Sequence, residues 1–129
     1  MNVSGTFTVK MVPLDAYAAT QPPSTLGRMS LDKSFSGPLE ATSQGEMLTG
    51  MTAVKGSAGY VALEKVTGRL EGKSGSFLLQ HFGVMHDGES RLILEVVPAS
   101  GTEELEKLAG KMAIRVEEGI HYYDFEYML

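Results

Sequence analysis

Polar and apolar residues alternate with a period of two along most of the chain. In residues 2–11 the apolar side chains Val3, Phe7, Val9 and Met11 fall on one face. Successive side chains of a β-strand point to opposite faces, so this pattern predicts strands with one buried face. Further segments of this kind lie near residues 26–35, 39–48, 59–69, 76–86, 91–96, 111–118 and 120–128. The sequence therefore predicts eight strands.

The connections between these strands are mostly short. Residues 13–25 contain three prolines and predict a longer loop, and the length of this loop and Tyr17 suggest a lid over one end of the fold. One helix is predicted after the sixth strand, because Ser100 and Glu103 have the spacing of a capping box and Gly110 would end the helix.

Eight strands and one short helix predict an all-β fold. The arrangement that we favour is an eight-stranded antiparallel up-and-down barrel, with residues 1–129 as a single domain. Closure of the barrel removes exposed strand edges, and eight strands leave room for packed side chains or one small ligand. A sandwich of two sheets is the alternative.

Composition excludes several classes of function. The chain has no cysteine, so it has no disulfide, thiolate metal site or cysteine nucleophile. Its net charge is −5, and its basic residues are scattered singly, which disfavours binding to nucleic acid. No apolar run approaches the ~20 residues of a membrane helix, and the N-terminus does not resemble a signal peptide. We therefore expect a cytoplasmic protein without a membrane partner.

Two charged residues break the alternation. Lys33 falls on the apolar side of the second strand, and Glu64 falls on the inner face of the fourth. A buried charge without a partner costs several kcal/mol, so each of these residues should be paired or neutralised. A Lys33–Glu64 ion pair inside the barrel would explain both anomalies.

The fifth strand carries Gln80 and His81 side by side, and only one of them can face inward. Its inner set is either Phe77, Leu79, His81, Gly83 and Met85 or Ser76, Leu78, Gln80, Phe82 and Val84. We favour the first set, because Gly83 would leave space for a large neighbour and Gln80 tolerates solvent. A β-bulge would reverse this register.

In the favoured register the barrel interior contains seven candidate ligand-binding residues: Lys33, Ser43, Tyr60, Glu64, His81, His121 and Tyr123. In one interpretation Lys33 and Glu64 form only a core ion pair that fixes the strand register. In the other, they provide the polar end of an otherwise apolar pocket, as ligand recognition requires. The eight methionines are interpreted as core filler.

Other chemistry finds little support in the sequence. His81 and His86 point to opposite faces of a straight strand, so no metal site is predicted, and no cofactor is implied. Residues 68–74 resemble a phosphate-binding loop but have one residue too few between the glycines, and they join two strands. No serine lies in a nucleophile-elbow motif.

Several segments resemble a bacterial family of uncharacterised proteins that is placed with the allene-oxide-cyclase-like barrels. They are KSFSGPL at 33–39, GYVALEKVTGRLEGKSGSF at 59–77, LQHFG at 79–83, VVPASGTEEL at 96–105 and the closing HYYDFEY. The resemblance implies an eight-stranded, calycin-like barrel that forms small oligomers. Plant allene oxide cyclases constrain the cyclisation of an oxidised fatty acid with the help of a carboxylate. Their site also uses a cysteine, which this chain lacks, and no functional residue carries over.

Three hypotheses follow. The first, which we favour, is a binding protein for a small apolar molecule whose polar end meets Lys33, Glu64 and His81. It requires an open cavity rather than an interior filled by side chains such as Phe7, Phe77, Met112 and Phe125. The second is an isomerase or cyclase that uses Glu64 or His81 as a base. The third is a structural module, a homo-oligomer joined through outward apolar residues of strands four and eight.

Overall fold

The computed structural model describes residues 1–129 and contains eight antiparallel strands closed into a barrel. Each strand pairs with its neighbours in the chain, and the last pairs with the first. The strands are β1 (Asn2–Leu14), β2 (Thr25–Ser36), β3 (Leu39–Met51), β4 (Ala58–Leu70), β5 (Lys73–His86), β6 (Glu89–Val96), β7 (Ala109–Glu117) and β8 (Ile120–Met128). The predicted antiparallel barrel is confirmed. No helix has the length and apolarity that crossing a lipid bilayer requires.

The up-and-down order of the strands gives the barrel two ends with different connections. At one end, here called the packed end, lie the tight turns at residues 37–38 and 71–72 and the segment 97–108. At the other, the open end, lie the loops 15–24 and 52–57 and two further tight turns. The open end is thus bordered by longer and more irregular connections.

Sixteen buried residues form one apolar cluster that fills the packed end. Its largest fully buried side chains are Tyr123, Phe77 and Phe125. The Tyr123 hydroxyl accepts a hydrogen bond from the Leu39 N–H at 3.0 Å and lies 3.1 Å from the Ser36 carbonyl oxygen, to which it donates. These bonds satisfy backbone groups on both sides of the β2–β3 turn. Tyr123 therefore closes this end of the barrel.

The predicted helix is reduced to a single 3-10 turn, η1 (Glu103–Leu105). Ser100 does not cap a helix, because its Oγ accepts a hydrogen bond from the Leu78 N–H at 3.0 Å and donates to the Val97 carbonyl at 2.6 Å. Thr102 Oγ1 accepts from the Ser76 N–H at 3.0 Å. These hydroxyls take the place of a strand partner along the edge of β5, and this competes with helix formation.

The side-chain alternation of β5 follows the favoured register. Phe77, Leu79, His81 and Gly83 are buried, whereas Gln80 is exposed. On β7, Val116 alternates onto the same inner face as Met112 and Ile114, yet it is 58% exposed. The reason is that β6 and β7 pair through only two residue pairs, so the wall is incomplete near the open end.

Candidate functional site

Four adjacent strands each contribute one inward polar side chain to the middle of the barrel. Lys33 of β2 is directly opposite Ser43 of β3 in the ladder. Glu64 of β4 is opposite Gly45, and His81 of β5 is opposite Ala62. The small residues at positions 45 and 62 leave the space in which the longer side chains meet. Lys33, Ser43, Glu64 and His81 are called the charged cluster below.

Glu64 is the centre of the charged cluster. Its Oε2 lies 2.8 Å from Lys33 Nζ and 2.5 Å from His81 Nε2, and its Oε1 accepts a hydrogen bond from Ser43 Oγ at 2.7 Å. The side chains of Lys33, Glu64 and His81 are 6%, 0% and 4% exposed. Both carboxylate oxygens are therefore occupied, and the predicted Lys33–Glu64 ion pair is present.

The surroundings of Glu64 stabilise its charged form. Burial alone would raise the pKa of this carboxyl group, but the hydrogen bond from His81 and the adjacent ammonium group of Lys33 outweigh burial and lower the pKa from 4.5 to about 2. Glu64 is thus a carboxylate at neutral pH. A base with so low a pKa accepts protons poorly, which argues against Glu64 as a general base.

The ammonium group of Lys33 is enclosed on the side of the packed end. Its Nζ lies 5.3 Å from the centroid of the Phe7 ring and 6.0 Å from that of the Phe35 ring, distances typical of cation–π contacts. The charge of Lys33 is therefore matched by Glu64 and covered on this side by the two rings.

An apolar pocket of about 440 Å³ lies at the open end of the barrel. Its lining includes Met11, Met47, Met51, Tyr60, Met85 and Leu92. At the floor, Gly83 makes room for the Tyr60 ring, because a Cβ at position 83 would lie only 2.8 Å from Tyr60 Cδ1. This is the gap beside a large neighbour that the sequence predicts for Gly83.

Tyr60 connects this pocket to the charged cluster. Its ring centroid lies 6.4 Å from that of His81, with the two planes tilted by 54°. Burial, followed by the nearby charge of Glu64, raises the pKa of the Tyr60 phenol. The Tyr60 hydroxyl makes no hydrogen bond within the protein, so its polar atom is available to a pocket ligand.

His81 also has one nitrogen without an internal partner. Nε2 bonds Glu64, whereas Nδ1 makes no hydrogen bond within the protein. No buried side-chain nitrogen or oxygen of the molecule lacks a partner, so Nδ1 contacts accessible space. Of the charged cluster, His81 therefore presents a hydrogen-bonding atom that the cluster itself leaves unused.

Two of the seven candidate residues lie away from the charged cluster. Tyr123 is at the packed end, where its hydroxyl is bonded to the backbone. His121 packs against the far side of Phe7, with ring centroids 5.2 Å apart, and Phe7 separates it from Lys33. Strand alternation predicts the face of a residue but not its level along the barrel axis. For this reason the sequence alone places His121 and Tyr123 in one group with the charged cluster.

Sequence reasoning missed the methionines of the pocket. Met11, Met47, Met51 and Met85 were interpreted as core filler, but they line the pocket, and three of them are about half exposed. The available signal was their position, because all four lie near strand ends on the same side of the barrel. The loop 15–24 contributes no lining residue, and Tyr17 is fully exposed, so the loop does not cover the pocket.

Other surface features offer weaker sites. A concavity of about 680 Å³ on the outer face of β1–β4 is polar and open to solvent. His86 lies 3.4 Å from Asp87, and both side chains are exposed. No group of three or more His, Cys, Asp or Glu side chains is arranged to hold a metal ion.

Comparison with known proteins identifies relatives without an assigned activity. The family model described as "Protein of unknown function (DUF3224)" matches residues 3–127. A crystal structure at 1.84 Å resolution of a DUF3224 protein of unknown function from Shewanella oneidensis MR-1 is 59% identical, with a TM-score of 0.97. That match covers 100% of this chain and 96% of the other. No curated protein matches the chain.

Proposed function

The chain belongs to the DUF3224 family, and we propose that this barrel binds a small apolar molecule in the pocket at its open end. The observation that carries the proposal is the pocket itself. Its volume of about 440 Å³ falls within the range of small-molecule sites. Flexible methionines adapt to the shape of an apolar ligand, and a few polar atoms at the floor would fix its orientation.

The proposed contacts of the polar end differ from those expected from the sequence. Lys33 and Glu64 neutralise each other, so they would shape the floor of the site without touching the ligand. The Tyr60 hydroxyl would donate a hydrogen bond to the ligand, and His81 Nδ1 would provide a second polar contact. We therefore expect a ligand with an oxygen acceptor at one end and an apolar body.

The test begins with native mass spectrometry of freshly purified protein, compared with its denatured mass. We expect an excess of roughly a few hundred daltons per chain, which is a typical mass for molecules held by such pockets. The second measurement is the fluorescence of anilinonaphthalene sulfonate, a dye that brightens in apolar sites. We expect Met47→Trp, which fills the pocket, to reduce dye binding at least about fivefold.

Val12→Trp is the matched control, because Val12 is 41% exposed, alternates onto the outer face of β1 and lies outside the pocket. It should leave dye binding unchanged. If neither a mass excess nor a dye site sensitive to Met47→Trp is found, the proposed ligand site is wrong.

Proton transfer at His81 is the second candidate function. The specific observation in its favour is that a buried carboxylate holds the imidazole by one nitrogen while the other is unbonded. This is the arrangement in which an orienting carboxylate supports a histidine base. Glu64 would then be a positioning residue, and an isomerase or cyclase reaction would take place at the pocket floor.

The two candidate functions are separated with the molecule recovered from the native protein. For an enzyme, His81→Gln should abolish turnover of that molecule while its affinity changes by less than about threefold. A pure binding protein shows no conversion of the molecule by the native chain. The cytoplasmic location and the likeness to the allene-oxide-cyclase-like barrels stay predictions.

A further inference from the structure

The outer surface of β3–β6 carries a row of exposed apolar side chains at one level. Leu48 is opposite Val61, Val61 is opposite Phe82, and Phe82 is opposite Ile93 in the ladders. These four side chains are 56%, 48%, 40% and 45% exposed in the order Leu48, Val61, Phe82 and Ile93. Contiguous exposed apolar residues on a sheet mark interaction surfaces more often than isolated ones. These four residues are called the outer row.

Two charges flank the outer row on β6. Arg91 and Glu95 stand two residues before and two residues after Ile93, so all three share the outer face of the strand. Neither Arg91 nor Glu95 forms an ion pair within the chain. The guanidinium group of Arg91 instead lies 5.6 Å from the centroid of the Phe82 ring.

Other charges around the outer row are already matched. Arg28, which is opposite Leu48 in the ladder, pairs with Glu46 at 2.6 Å. Lys111, which is opposite Glu95, has its nearest acidic partner in Glu126 at 3.8 Å. The two charges that flank Ile93 thus form a positive–apolar–negative pattern that has no partner inside the molecule, and Glu89, four residues before Ile93 on the same face, lies beyond it.

We propose that the outer row is a self-association surface, and that its partner is a second copy of the chain related by a two-fold axis that lies tangent to the barrel and crosses β4, β5 and β6 at the level of the row. Such an axis places each strand against its own copy in the opposite direction. Ile93 then meets Ile93, and Phe82 meets Phe82. Arg91 faces Glu95 of the second copy, and Glu95 faces Arg91 of the second copy.

Charge complementarity identifies the second copy as the partner. A two-fold interface uses the same patch twice, so the patch must be complementary to itself. A pattern whose charge changes sign across its centre fulfils this condition. Strand β4 supports the same geometry. Gly59 and Leu63 stand two residues before and two residues after Val61, so the exposed Leu63 would meet Gly59 of the second copy, which has no side chain.

Sedimentation velocity and light scattering measure the outcome directly, since the monomer is 13.9 kDa. We expect the native chain to be a dimer and Ile93→Asp to be a monomer. Arg91→Glu should raise the dimer dissociation constant at least about tenfold, because each end of the interface then contains two like charges. The double variant Arg91→Glu/Glu95→Arg should restore the native value within about threefold.

Ile120→Asp is the matched control, because Ile120 is 47% exposed on β8, outside the outer row. It should leave the dimer intact. A monomeric native chain would overturn the proposal, and so would a dimer that Ile120→Asp dissociates or that Ile93→Asp leaves intact. Failure of the charge exchange to restore association would disprove the two-fold pairing. Because Ile93 does not line the pocket, Ile93→Asp should retain dye binding in the pocket, so the two proposals fail independently.

Discussion

The two ends of the barrel interior are built from the same strands but filled in different ways. At the packed end the inward positions hold Phe77, Tyr123 and Phe125, whose rings contact one another or their neighbours and exclude solvent. At the open end they hold methionines and Tyr60 around a pocket of about 440 Å³. Dense aromatic packing stabilises the fold, whereas flexible side chains around a space can adapt to the shape of a bound molecule.

The charged cluster lies at the boundary between these two regions. On its packed side are the rings of Phe7 and Phe35, and on its open side is the ring of Tyr60. A buried ion pair is weak evidence for stability, because apolar residues of equal volume often stabilise a protein more. In the proposed function, its position at the boundary makes it the polar floor of the ligand site.

The first prediction concerns the largest difference between the two ends. Phe125→Ala should lower the free energy of unfolding by about 3–5 kcal/mol, because it leaves a cavity in a region without space to collapse. Met47→Ala should cost about 1 kcal/mol, since Met47 is half-buried and already borders a pocket. Urea denaturation of both variants measures the difference. Equal losses would show that the two ends are packed alike.

The second prediction tests the boundary through pH. Because the pKa of Glu64 falls from 4.5 to about 2 on folding, its contribution is complete above pH 4.5 and is lost as the pH falls toward 2. The size of this shift corresponds to about 3 kcal/mol. At neutral pH the unfolding free energy of Glu64→Gln should therefore be about 3 kcal/mol lower than that of the native chain. Near pH 2 the two unfolding free energies should become nearly equal.

Denaturation of both proteins across this pH range gives the difference directly, and the contributions of other acidic groups cancel. Ser34→Ala is the control, because it removes a polar group on the exposed face of β2. Its unfolding free energy should differ from that of the native chain by the same amount at every pH. If the difference in unfolding free energy between Glu64→Gln and the native chain does not change with pH, folding does not lower the pKa of Glu64.

The faces of the strands could be predicted from sequence because alternation with a period of two is a local property. Lys33 and Glu64 are the clearest case, since two opposite charges on inward faces have a strong energetic reason to pair. The burial of His81 followed from the same alternation together with the gap at Gly83. Closure of the barrel followed from the number of strands and their short connections.

The level of each side chain along the barrel axis could not be predicted from the alternation of polar and apolar residues. The level of a side chain depends on the stagger of all eight strands, which no single segment encodes. For this reason Tyr123 and His121 were grouped with the charged cluster, and the methionines of the open end were assigned to the core. The prediction of a helix was wrong for a different reason. Ser100 and Thr102 accept hydrogen bonds from the edge of β5 instead of capping the start of a helix.

The third prediction compares two tyrosines, one at each end. Tyr123→Phe should lower the free energy of unfolding by about 1–2 kcal/mol, because the Leu39 N–H and the Ser36 carbonyl lose their partner. Tyr60→Phe should change it by less than about 0.5 kcal/mol, since the Tyr60 hydroxyl has no partner within the protein. Urea denaturation measures both. We also expect Tyr60→Phe to weaken dye binding without affecting stability, and Tyr123→Phe to affect stability without changing dye binding. This result would show that the two hydroxyl groups have different roles, one in binding and one in stability.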